Sequence, residues 1–236
     1  MNKKNNVDQH EINKFEALAS RWWDKQGDFK PLHDINPLRS NWVDRETPVS
    51  GKTLVDIGCG GGIFSESMAI RGAKVIGIDM GVAPLSVAKM HALETNLEID
   101  YIQCTAEELA IQKPASFDLV CCLEMLEHVP DPRAIVEACA SLAKRGGSIY
   151  LSTINRNIKA FLFAIIGAEH ILRMLPIGTH QYAKLIKPSE LAHWARLSNL
   201  IVDRVVGMTY NPITGVYKLT DKDLSVNYIM KLSKPL

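Results

Sequence analysis

Two carboxylates and an imidazole stand close together in CLEMLEHVPD (Cys122–Asp131): Glu124, Glu127 and His128. They follow an apolar run, FDLVCCL (117–123), that reads as a strand. A helical turn after that strand would put the three side chains at i, i+3 and i+4, on one face. Pro130 disfavours helix at Val129, so such a turn must be short. Three roles suit the group. His128 could take a proton as a general base, oriented by a neighbouring glutamate. All three could ligate Mg²⁺ or Zn²⁺, with substrate oxygens filling the open positions. Or they could shape the fold and the pocket wall, with no chemistry of their own.

A second candidate lies upstream, in Asp56-Ile-Gly58-Cys-Gly60-Gly61-Gly62. Glycines let the backbone approach a ligand closely, and this loop joins an apolar strand, TLVDIG (53–58), to a helix, IFSESMAIRG (63–72). Asp79 closes the next strand, AKVIGID (73–79), where a carboxylate can accept both hydroxyls of a ribose. Dinucleotide enzymes share these features, but their fingerprint requires Gly or Ala where Ile63 stands. Asp56 at the base of the loop would also repel a pyrophosphate, whereas it suits a ligand carrying an ammonium and a sulfonium. The residues point to S-adenosylmethionine.

These groups need a scaffold, and the chain supplies one. Its 236 residues suffice for a single domain, 1–236, with a sizeable core. A net charge of +1 argues against a nucleic-acid partner. The five cysteines, none in a C-x-x-C pair, read as reduced thiols of a cytoplasmic protein. The amino terminus shows no apolar signal segment. An amphipathic helix over 8–25 leads into a proline-marked connection at Pro31 and Pro37. Strands then alternate with helices: 82–96 and 132–144 read as helices, and 100–105, 117–123 and 148–153 as strands. A helix begins at Pro188, and 200–210 with 216–220 form a terminal strand pair. This order predicts an α/β, doubly wound, mostly parallel, Rossmann-like sheet with an antiparallel last strand. The N-terminal segment 1–45 is a candidate lid, and 156–187 is a helical insertion after the fifth strand.

LVDIGCGGG (54–62), IDM (78–80) and CLEMLEHVPDP (122–132) resemble the signature blocks of class I S-adenosylmethionine-dependent methyltransferases. Blocks outside the core sharpen the resemblance. KFEALASRWWD (14–24), FKPLHDINPLR (29–39), GAEHILRMLPIGTH (167–180), IKPSEL (186–191), YNPITGVYKL (210–219) and VNY (226–228) are similar to the ubiquinone-biosynthesis O-methyltransferase family. The resemblance implies methyl transfer to a ring hydroxyl of polyprenylated catechol or demethylubiquinol intermediates, at two steps. It also implies that Arg39, Gly58, Asp79 and Leu123 hold the cofactor, with Asp56 and Gly60 beside them. A guanidinium at Arg39 can grip the methionine carboxylate in bidentate fashion. Other acceptors for the same cofactor, or a non-catalytic scaffold among other ubiquinone-biosynthesis proteins, remain the competing readings.

The insertion contains IKAFLFAIIGAEHILRML (158–175), too short in apolar residues to span a bilayer. As a helix it would gather Phe161, Ile165, Ala168, Leu172 and Leu175 on an apolar face, with Lys159, Glu169, His170 and Arg173 together elsewhere. Residues 155–187 carry a net +4 within a chain of net +1. The pattern predicts reversible binding to an anionic membrane at its cytoplasmic, inner face, through Phe161, Ile165, Leu172 and Arg173.

Overall fold

The computed structural model describes residues 6–157, 160, 182–211 and 214–236. Eight strands form one sheet: β1 (Thr53–Ile57), β2 (Lys74–Asp79), β3 (Ile99–Gln103), β4 (Phe117–Leu123), β5 (Ala143–Ile154), β6 (Ile201–Asn211), β7 (Val216–Thr220) and β8 (Asn227–Ser233). Their order is β3-β2-β1-β4-β5-β8-β6-β7. β1 to β5 run parallel, and β8 enters antiparallel between β5 and β6. The chain leaves β1 toward β2 and β3, then returns across β1 to β4, so the winding reverses between β1 and β4. Open α/β sheets bind ligands at the carboxyl ends of the strands flanking that reversal. The glycine loop ends β1, and Glu124 follows β4.

Helices cover both faces. On one side α5 (Ala106–Gln112), α6 (Pro132–Leu142) and α7 (Pro188–Leu197) bury Leu109, Ile135 and Leu191 against Val55, Val120 and Ile149. On the other, α2 (Lys30–Glu46) and α3 (Ile63–Ile70) bury Trp42, Phe64 and Met68 against Leu54, Leu119 and Tyr150. The helix α4 (Val82–Glu94) packs Leu85, Ala88 and Ala92 on Tyr101 of β3. Trp42 meets Tyr150 edge-on, with ring centroids 5.6 Å apart. Both are fully buried, which fixes α2 beneath the site.

Several expectations are corrected. The first helix, α1 (Gln9–Leu18), stops early and passes into a single 3₁₀ turn over Ala19–Arg21. The proline-marked connection is instead the 17-residue helix α2. Pro31 lies in its first turn, where a missing N–H costs nothing, and Pro37 is tolerated inside it. α5 escaped notice although Thr105 and Glu108 form a reciprocal capping box at its start. β8 escaped because Tyr228, Ile229, Met230 and Leu232 are all fully buried in the middle of the sheet, so no polar alternation marks it. The expected strand pair does form, as β6 with β7. The membrane residues Phe161, Ile165, Leu172 and Arg173 lie outside the described residues. Among the described residues, no helix is long and apolar enough to cross a membrane.

Candidate active site

The glycine loop is held by Asp79. Its Oδ2 accepts from the Gly60 N–H at 2.9 Å and its Oδ1 from the Gly81 N–H at 2.8 Å. A carboxylate has about four lone-pair positions, so two remain for a diol. Burial pushes the Asp79 carboxyl above its ordinary value, while the N–H groups of Gly81 and Gly60 favour the charged form. Trp22 lies flat against the loop: a Cβ added at Gly60 would sit 2.1 Å from the indole, and one at Gly61 2.3 Å. No residue with a side chain fits under that ring. Trp22 in turn stacks on Phe29, with centroids 4.0 Å apart. The Trp23 indole N–H donates to the Gly61 carbonyl at 2.9 Å, and its ring stacks on His91. The N-terminal segment therefore closes directly over the loop, and Met125 closes over Gly58.

Beneath the loop lies a buried charged cluster. Asp56, 2% exposed, accepts from the Ser65 hydroxyl at 2.6 Å. Burial raises its carboxyl to about 6, against the favourable Ser65 hydrogen bond and Arg39 charge. Arg39 is 4% exposed, lies near Asp56 and Glu124, and its Nε has no hydrogen-bond partner among the described residues. A buried guanidinium with an unsatisfied N–H fits an anionic ligand group, such as a carboxylate. Leu123, at the end of β4, is packed into the core with Phe64 and Tyr150. Asp79, Arg39 and the glycine loop thus match the diol, carboxylate and backbone needs of S-adenosylmethionine.

Glu124, Glu127 and His128 do not share a helical face. Glu124 has φ +56°, a left-handed conformation that costs about 1–3 kcal/mol for a residue with a side chain. Only Leu126–His128 form a 3₁₀ turn. The three side chains diverge. Glu124 accepts from Ser152 of β5 at 2.6 Å and from Asn227 of β8 at 2.8 Å. Burial raises its carboxyl, and the charge of Glu127 adds to the rise. Glu127, 3% exposed, accepts from Thr153 at 2.7 Å. His128 instead donates from Nδ1 to Glu11 of α1 at 3.0 Å. The orienting glutamate is therefore not a sequence neighbour. Glu11, Ser152, Thr153 and Asn227 are site residues with no local signal, because each arrives through tertiary packing.

This arrangement does not fit Mg²⁺ or Zn²⁺ held jointly by Glu124, Glu127 and His128. Among the described residues, no group of three or more His, Cys, Asp or Glu side chains is placed to hold a metal ion.

A methyltransferase-domain family model matches residues 55–151, the stretch from β1 to β5. Two solved structures share the fold. A magnesium protoporphyrin IX methyltransferase from Synechocystis, solved with bound SAH, aligns with TM-score 0.72 at 20% identity, covering 96% of this chain and 100% of that one. An S-adenosylmethionine-dependent methyltransferase from Methanosarcina mazei aligns with TM-score 0.63 at 22% identity, covering 83% and 97%. Fold and site define an S-adenosylmethionine-dependent methyltransferase of class I. Among curated proteins, the ubiquinone biosynthesis O-methyltransferase of Saccharophagus degradans is 62% identical, over 97% of each chain. That of Stutzerimonas stutzeri is 60% identical, over 97% of this chain and 98% of its own. The chain belongs to the ubiquinone biosynthesis O-methyltransferase family, and it is an S-adenosylmethionine-dependent O-methyltransferase.

Proposed function

We propose that this enzyme methylates a ring hydroxyl of polyprenylated catechol or demethylubiquinol intermediates in ubiquinone biosynthesis. The observation that carries the acceptor is the 62% identity, over 97% of both chains, to a relative that bears that function in its name. S-adenosylmethionine supplies an electrophilic methyl group when bound, and the chain supplies everything else. Asp79, Arg39 and the loop from Gly58 to Gly60 hold the cofactor, with Asp56 below balancing positive charge. A phenol resembles tyrosine, with a pKa near ~10, so at neutral pH it needs a base. His128, backed by the Glu11 carboxylate, is the group with that chemistry, and Glu124 and Glu127 line the wall beside it. A Mg²⁺ or Zn²⁺ ion on these three would require Glu124, Glu127 and His128 to turn toward a common point from their separate partners on β5, β8 and α1. Activity that vanishes with EDTA and returns with Mg²⁺ would mean that they do turn.

The N-terminal segment acts as a lid in this reading. Bringing a phenolate to a sulfonium neutralises charge, which a site cleared of water favours. Trp22 and Trp23 on the glycine loop are what supports it. To test the acceptor, a prenylated catechol and a prenylated aniline of equal tail length would compete for the enzyme. The catechol is expected to account for nearly all S-adenosylhomocysteine released, and preference for the aniline would reverse the proposal.

We further propose that residues 156–187 hold the enzyme to the anionic inner face of the membrane, where the prenyl tail resides and other proteins of the pathway would gather. The support is the apolar face and basic excess read in the sequence. The ends of this segment also return together, where Ala160 and Leu185 bury against Ile154. Each basic group near an anionic surface contributes ~1 kcal/mol. Phosphatidylglycerol vesicles should therefore carry the protein upward in a flotation gradient. Phe161→Glu with Ile165→Glu should leave it at the bottom while sparing methylation of a short soluble catechol. Equal flotation of both proteins would remove the anchor from this segment.

A further inference from the structure

We infer that Glu11 is a positioning residue for His128, so that docking of the N-terminal helix completes the base. This rests on the proposed function, and four observations support it. First, Glu11 sits on α1, 117 residues from His128 in sequence, yet its Oε2 lies 3.0 Å from His128 Nδ1. A carboxylate can only accept, so Nδ1 carries a hydrogen, and in the neutral ring the lone pair belongs to Nε2. Second, Phe15, one turn along α1, meets the same imidazole edge-on, with ring centroids 5.2 Å apart and planes at 88°. One helix therefore bears on both the tautomer of the ring and its tilt.

Third, the Glu11 carboxylate is itself built in. Its side chain is only 6% exposed, and its Oε1 accepts from Lys14 at 3.2 Å and from Lys184 at 3.3 Å. Fourth, Glu124 and Glu127, the glutamates nearest His128 in sequence, reach instead to Ser152 and Thr153 of β5 and Asn227 of β8.

The helix that carries Glu11 packs Phe15 and Leu18 against Trp22, Phe29 and Ile63, and polar contacts tie it and the residues before it to the rest of the chain. Asn6 donates to Glu107 at 3.0 Å and accepts from the Asp131 N–H at 2.8 Å. Glu16 accepts from the Val82 N–H at 3.0 Å, and Lys184 reaches Asp8 at 3.0 Å. Such contacts hold the helix in place yet can be released together, since a terminal segment can open locally without global unfolding. Withdrawal of α1 would take Glu11 and Phe15 from the imidazole in the same movement. The lid would then do more than exclude water: it would switch the base on.

The test uses the full chain, S-adenosylmethionine and a short soluble catechol. Glu11→Gln keeps the shape and removes the charge. It is expected to lower kcat by about 10–10³-fold with little change in the KM for either substrate, and Glu11→Asp should recover most of the loss. In a His128→Ala background, Glu11→Gln should cost less than about twofold, because residues acting as a unit are not additive. Equal losses in both backgrounds, or a KM effect alone, would overturn the inference. A readout without acceptor separates this result from failure of the proposed function. ¹⁵N-resolved spectra of the His128 ring should show the hydrogen on Nδ1 in the wild type and a mixture of tautomers in Glu11→Gln. An unchanged tautomer in the folded variant would overturn the inference whichever acceptor the enzyme uses.

Discussion

His128→Ala is expected to lower kcat on a catechol by ~10²–10⁴, about 2.7–5.4 kcal/mol of transition-state stabilisation. The two carboxylates nearest in sequence are engaged elsewhere among the described residues: Glu124 accepts from Ser152 and Asn227, and Glu127 from Thr153. The fold should survive the change. His128 sits in a short 3₁₀ turn at the rim of the sheet, and Glu11 keeps Lys14 and Lys184 as partners after the imidazole is gone. Cofactor affinity should hardly move, because the residues assigned to the cofactor lie on α2, on the glycine loop and at the ends of β2 and β4. Steady-state kinetics paired with calorimetry on S-adenosylhomocysteine checks both halves. A matching loss of cofactor binding would assign His128 to the architecture of the pocket.

The opposite pattern is expected for Asp79→Ala, with a loss of affinity for S-adenosylhomocysteine of about 10²–10³-fold. Asp79 holds two loop N–H groups, at 2.9 Å and 2.8 Å, and hydrogen bonds to a charged group are each worth about 1.5–3 kcal/mol. The variant therefore loses both the diol acceptor and the brace of the loop. In a thermal shift experiment, S-adenosylhomocysteine at 100 times the wild-type Kd stabilises the wild type by ~2.7 kcal/mol. A variant binding 10²-fold more weakly would gain only about 0.4 kcal/mol at that concentration. A full shift in Asp79→Ala would remove this carboxylate from the cofactor site.

The parts of the site that were legible in the sequence are those defined by neighbouring residues. The glycine loop, the strand before it and Asp79 lie within one βαβ unit, where local spacing dictates geometry. The parallel strands and the antiparallel return of the chain also follow from local apolar runs and turn residues. What was not legible depends on contacts between distant segments. The i, i+3, i+4 spacing of Glu124, Glu127 and His128 suggested one face, but Glu124 takes a left-handed backbone and its carboxylate goes to Ser152 and Asn227. Asn227 belongs to β8, whose buried run carries no alternation to announce a strand. α2 was obscured by two prolines that a helix tolerates at those positions. Glu11 reads as one more charge on an amphipathic helix until the fold brings it to His128.

The measurement closest to the central claim is the fate of one methyl group. Enzyme incubated with methyl-labelled S-adenosylmethionine and a prenylated catechol should yield S-adenosylhomocysteine and catechol monomethyl ether in equal amounts. Mass spectrometry and NMR should find the label on a ring oxygen. Label on a ring carbon or on nitrogen in a mixed acceptor, or cofactor that binds without any transfer to the catechol, would contradict the account.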